Sequence, residues 1–127
     1  MTYGSTDRKG LHRMEQRLLS LDGVWQLTLA EHESVESAGF DPHTVAELQG
    51  AAYPTIPASV PGNFELDMHA ANLAPDPFFG TNAWDFQQYE NRHLWYSTTF
   101  DSPTAGDANT YLVFNGIDTV ADIYLNG

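Results

Sequence analysis

The sequence contains no cysteine. That excludes a disulfide framework, a thiolate zinc site and a cysteine nucleophile, and it fits a reducing compartment. Positive charge is nearly as scarce. Arg8, Lys9, Arg13 and Arg17 crowd the start, and from Leu18 onward fifteen acids face Arg92 alone. A body so charged repels phosphate backbones and anionic lipid headgroups, so neither nucleic acid nor a membrane is expected as a partner. No apolar run approaches the roughly 18 residues that a membrane span needs. Residues 1–10 hold no apolar h-region, so no signal peptide is read there; with the missing cysteines, this favours a cytoplasmic location. Gly-rich phosphate loops, a Gly-x-Ser-x-Gly elbow and a His-Glu-x-x-His pair are all absent. The five histidines (His12, His32, His43, His69, His93) form no i, i+4 pair, and Glu31, Glu33 and Glu36 around His32 read as a solvated face. No metal and no cofactor are therefore expected.

What is present is a globular composition. The 127 residues fit one domain, and 42% of them are apolar, with three Trp, six Tyr and seven Phe. A chain of this size can bury a core of its own. The net charge of −12 leaves neutral sugars open as ligands, because sugar recognition rests on stacking and hydrogen bonds. The plainer account is that the acidity only aids solubility.

Residues 1–17 read as a polar N-terminal tail whose four positive charges could pin it to the acidic body. Asp22-Gly23 is a turn signal. The first strand follows over 23–30, where Trp25, Leu27 and Leu29 alternate with Gln26 and Thr28 at the period of a half-buried strand. Residues 31–54 form a polar insertion. In it Asp41 is placed to cap a two-turn helix with Pro42 at its first position, Phe40 and Val45 as a staple and Gly50 as the stop. The prolines of 54–62 demand extended backbone. Asn63 then caps a second short helix whose Leu66, Ala70 and Leu73 share a face, ended by Asn72 in the left-handed region. A long aromatic loop spans 74–92, the kind of segment that serves function or an interface. Strands are expected at 93–100, 110–114 and 119–125, with Asn115-Gly116 and Asn126-Gly127 as turns. Trp25, Trp95 and Tyr96 are read as core.

Several pieces, in order, resemble the N-terminal domain of family 2 glycoside hydrolases, the family of β-galactosidases, β-glucuronidases and β-mannosidases. They are Leu21-Asp22-Gly23-Val24-Trp25, Val60-Pro61-Gly62, Pro75-Asp76-Pro77-Phe78-Phe79-Gly80-Thr81-Asn82, Leu94-Trp95-Tyr96 leading to Phe100, and residues 114–127 ending in Asn126-Gly127. The Asp-Pro-Phe-Phe-Gly-x-Asn stretch is most similar to β-mannosidases; the 31–54 insertion matches nothing recognisable. The resemblance implies an all-β, galactose-binding-like jelly-roll sandwich over 18–127, with short helices in its connections and stopping before the last strands. It also implies downstream immunoglobulin-like and (β/α)8 domains, a glycoside or oligosaccharide substrate, and a retaining reaction run by two glutamates on the barrel.

None of that catalytic machinery can be placed on this chain. The family's acid/base stands in an Asn-Glu pair, and none of the seven asparagines is followed by Glu. No residue is assigned as catalytic. The resemblance points to Asn82 as a substrate-binding residue, on a loop that reaches toward the active site; its amide both donates and accepts, as a sugar hydroxyl requires. An Asx-turn that only shapes the loop is the alternative. Trp84 could stack on a sugar face or pack against the barrel. Phe78, Phe79 and Phe86 read as interface or core anchors, and Asp118 and Asp122 as structural acids. Two other functions stay open: a stand-alone carbohydrate-binding module, and a non-catalytic interaction domain.

Overall fold

The computed structural model describes residues 18–101 and 110–126. The expected tail at 1–17, with its four cationic side chains, lies outside the described residues. Three strands make one antiparallel sheet in the order β2-β1-β3: β1 is Gly23–Glu31, β2 is Thr55–Val60 and β3 is Arg92–Ser97. Between them lie three short helices, α1 (His32–Ala38), α2 (Val45–Gly50) and α3 (Phe64–Ala70), and a 3₁₀ helix over Asn82–Tyr89. No described helix is long and apolar enough to cross a membrane.

The register explains the core. Leu27 lies opposite Ile56 on β2 and Tyr96 on β3, and Trp25 and Leu29 share its face with Ala58 and Leu94. Side chains alternate across a strand, so this face gathers Leu27, Leu29, Ile56 and Ala58, and Met68 of α3 closes over them. The 3₁₀ helix seals the edge of this layer. Phe86 is buried, and Phe64, Phe86 and Tyr89 meet at centroid distances of 5.9 to 6.4 Å, the spacing at which tilted and edge-on rings attract.

The opposite face was expected to look at solvent, and past Gln26 it does not. Thr28 is only 2% exposed and Ala30 is fully buried. As the central strand β1 is flanked on both sides, and α1 packs on β1 and β3 from this second face. Thr28 escapes the penalty of burying a hydroxyl because its Oγ1 lies 2.9 Å from that of Thr55. Phe40, Tyr53 and Trp95 fill the rest of the layer.

Local chemistry sets the helix ends, not always where expected. Asn63 does cap α3, its Oδ1 accepting from the Leu66 N–H at 3.1 Å, and Asn72 follows at φ 58°. The α2 cap is Thr44 instead of Asp41. Thr44 Oγ1 accepts from the Glu47 N–H, while Glu47 Oε2 accepts from the His43 and Thr44 N–H groups at 2.8 and 3.1 Å. That reciprocal capping box satisfies more orphan donors than a lone Asp could. The His43 N–H, then the Thr44 N–H, hold the Glu47 carboxyl below its ordinary range. Asp41 pairs with His43 at 3.4 Å.

The buried face of α3 also differs from the expected one. Leu66 and Leu73 are exposed, and Asp67 and Met68 point inward. Asp67 is buried because its Oδ1 accepts from the Ser59 N–H of β2 at 2.9 Å. Between these two elements, a Cβ on Gly62 would collide with the Ser59 carbonyl oxygen, so the Pro61-Gly62 turn admits only glycine.

Residues 110–126 form no strand, and every one of them is exposed. The alternation at 110–114 and 119–125 marks a face suited to burial, but a strand needs a neighbouring ladder, and this segment pairs neither with β1, whose two edges are filled, nor with the outer edge of β3. Tyr124 turns back, with ring contacts to His43 and Trp95 at 4.8 and 6.3 Å.

Candidate functional site

The loop that carries Asn82 is folded on Asp76. Its Oδ1 accepts from the Phe78 N–H at 2.9 Å, and its carbonyl accepts from the Phe79 N–H at 3.2 Å. Gly80 takes φ 60°, which a side chain would disfavour. Asn82 then donates twice, through its N–H to the Phe79 carbonyl and through Nδ2 to the Asp76 carbonyl at 3.0 Å. From there the 3₁₀ helix starts, with the Trp84 N–H on the Thr81 carbonyl, and Phe86 anchors it to the core.

Asn82 is half-buried, and its amide nitrogen braces the loop, the shaping role given above as the alternative. Its Oδ1 stays available as an acceptor. Beside it Phe78, Phe79 and Trp84 are 79%, 75% and 68% exposed. Asn82 and Trp84 therefore sit on one hydrogen-bonded turn, among aromatics that a water-facing loop has no reason to display. Phe86, grouped with them in the sequence, belongs to the core.

Other acids hold backbone or pair with cations. Glu47 caps α2, Asp67 ties α3 to β2, and Glu31 pairs with Arg92 at 3.1 Å. A shallow open groove of about 680 Å³ is lined by Phe40, Asp41, Pro42, Glu47, Ala51 and Tyr53 among others, and none of its residues belongs to the Asn82 loop.

A second constellation was not legible in the sequence. His32 Nδ1 lies 2.9 Å from His93 Nε2, their rings stack at 5.2 Å, and Glu36 offers a carboxylate oxygen within 4.8 Å of both. His32 and His93 are 61 residues apart, so spacing could not reveal the pair. The clue lay in the sheet pattern, once strands at 23–30 and 93–100 are aligned.

Comparison with known proteins decides the family. Residues 25–127 match the model of the glycosyl hydrolase 2 galactose-binding domain-like family. The chain belongs to that family. A β-mannosidase B of Thermothelomyces thermophilus is 37% identical over 53% of this chain and 8% of its own length. The β-mannosidase of Mus musculus is 33% identical over 56% of the chain and 8% of its own. A mannosylglycoprotein endo-β-mannosidase of Lilium longiflorum is 29% identical over 84% of the chain and 12% of its own. The chain thus spans about a tenth of the curated relatives it matches. No solved structure matches it. As a family 2 galactose-binding-like domain homologous to β-mannosidases, it bears out the resemblance drawn from residues 21–127, and its small antiparallel sheet with few helices accords with the all-β expectation.

Proposed function

We propose that this galactose-binding-like domain is the N-terminal part of a retaining, exo-acting, β-mannosidase-like glycosidase. It supports a (β/α)8 barrel and lends the Asn82 loop to the sugar pocket. The three-stranded sheet is, on this reading, part of a jelly-roll sandwich followed by an immunoglobulin-like domain. The loop carries the proposal. It presents three exposed aromatics in seven residues, and Asn82 is tied to it through its amide nitrogen, which leaves the amide oxygen as the acceptor for a ligand. Contiguous exposed apolar surface marks a partner, and the barrel is that partner here. Homology to proteins named β-mannosidases favours a β-mannoside as the substrate over a β-galactoside or a β-glucuronide.

The catalytic pair, two carboxyl groups about 5–5.5 Å apart as a retaining mechanism needs, resides in the barrel. In the pocket Asn82 Oδ1 accepts from a sugar hydroxyl, and Trp84 covers the rim.

The test uses p-nitrophenyl β-D-mannopyranoside. The 127-residue chain alone should release no nitrophenolate above the buffer rate. In the full gene product, Asn82→Ala, which removes the acceptor oxygen, should lower kcat/KM by about 3- to 10-fold, the worth of one neutral hydrogen bond, with the fold intact by circular dichroism. Hydrolysis by the isolated chain would sink the proposal. Saturable heat on titrating the isolated chain with mannose or β-linked manno-oligosaccharides would point instead to a free carbohydrate-binding module.

A further inference from the structure

We propose that His32, Glu36 and His93 form a binding site for a divalent transition metal such as Zn²⁺, one that clamps α1 to the sheet. The scaffold already holds the three ligands. Antiparallel pairing sets His93 opposite Ala30 and Arg92 opposite Glu31, so the chain leaves β1 directly beside β3. The His32 N–H donates to the Asn91 carbonyl at 3.0 Å, which fixes the first turn of α1 against the bend that opens β3. Glu36 follows His32 by four residues on α1, and residues so spaced lie on one face of a helix.

The distances fit a shared ion. The two ring nitrogens are 2.9 Å apart and the third ligand atom lies within 4.8 Å of both. Two nitrogens on one Zn²⁺ at about 2.0–2.1 Å stand roughly 2.9 to 3.4 Å apart, from a right angle to the tetrahedral one. In the hydrogen-bonded pair the two nitrogens face each other head-on, with ring centroids 5.2 Å apart, so an ion bound by both requires the exposed His32 ring to turn until the two lone pairs converge. Without metal, one proton bridges His32 Nδ1 and His93 Nε2. On binding, the ion takes that proton's place: the donating ring gives the proton up and regains one from solvent on its far nitrogen, so both imidazoles stay neutral with a bare nitrogen toward the ion. Two neutral imidazoles and one carboxylate suit Zn²⁺ and its neighbours better than Ca²⁺, which prefers oxygen ligands. Glu31 already neutralises the nearby Arg92 guanidinium, so that cation does not oppose the ion. The site is independent of the sugar-binding proposal, since it shares no residue with the 76–84 turn that carries Asn82.

The experiment is a calorimetric titration of the untagged, chelator-treated full chain with Zn²⁺ alone. Cu²⁺ quenching of tryptophan emission gives a second readout, because the His93 ring stacks 6.4 Å from Trp95. One saturable site is expected. His32→Gln and His93→Gln should each weaken it by about tenfold or more, while a His43→Gln/His69→Gln double variant should leave it unchanged. Absence of saturable Zn²⁺ binding, or equal affinity in His32→Gln and His93→Gln, would overturn the proposal. Should His93→Gln fail to fold, His32→Gln and Glu36→Gln, both at exposed positions, decide alone, and unchanged affinity in both overturns it equally.

Discussion

Leu27→Ala tests the packing that positions everything else. Leu27 is 0% exposed, in the middle of the central strand, facing Ile56 on one side and Tyr96 on the other. The substitution removes three side-chain carbons, worth about 2.4 kcal/mol in transfer free energy at roughly 0.8 kcal/mol per group. A cavity term adds to this. Both flanking strands are fixed by their ladders and Met68 closes the face, so the site has little room to collapse, and the total should reach about 3–4 kcal/mol. Small domains have about 5–15 kcal/mol in all, so the loss is a large share. Urea unfolding followed by circular dichroism measures it as a lower midpoint at constant slope. Val24→Ala is the control. It stands three residues earlier on the same strand but is 73% exposed, and it should change stability by no more than about 0.5 kcal/mol. A Leu27→Ala loss below about 1 kcal/mol, or equal losses for the two variants, would refute the placing of Leu27 at the centre of the core.

Removing the caps should cost about 1 kcal/mol each: Asn63→Ala at α3 and Thr44→Ala at α2, read by the same urea titrations. The Tyr96 phenol is pushed up to about 12, first by burial and then by the Asp67 and Glu65 carboxylates. Between pH 10 and 12 the unfolded chain therefore releases a proton that the folded chain keeps. Tyr96 adds stability that is complete below pH 10 and fades as pH climbs toward 12. Tyr96→Phe should flatten that part of the stability–pH curve, and Asp67→Asn should bring the phenol's titration, followed by ultraviolet difference absorption, to lower pH.

Much of the scaffold was written in local patterns. The alternation of Trp25, Leu27 and Leu29, the extended backbone through Pro54 and Pro57, the Asn63 cap and the left-handed Asn72 all follow from near-neighbour chemistry, and all are found; Gly23, read as part of a turn with Asp22, instead opens β1. What escaped depends on distant partners. Thr28 reads as a solvent-facing residue until α1, itself hidden in a polar segment, covers its face. Asp67 reads as the wet side of α3 until the Ser59 N–H needs an acceptor. Thr44 outdoes Asp41 because Glu47 completes the cap from the other side. The segment 110–126 has strand-like alternation but pairs with no strand of the sheet. At the candidate site the sequence singled out Asn82 and Trp84 on one loop. The brace from Asn82 to Asp76, the outward display of Phe78, Phe79 and Trp84, and the withdrawal of Phe86 into the core needed coordinates.

The Asp67–Ser59 hydrogen bond has a bearing on assembly. N–H groups of one strand point alternately to its two sides, so Ser59 and Pro57 face the same way, outward from the sheet. There Pro57 has no N–H to offer, and the Ser59 N–H is already taken by Asp67. The β2 border is thus closed to any strand that would dock on it, a common guard against unwanted pairing. Across the sheet, β3 pairs with no further strand among the described residues. Growth of this sheet is therefore one-way. A completing strand, whether from the same polypeptide or from a stray copy of it, has a single vacancy to enter, and that vacancy runs past Arg92, His93 and Trp95.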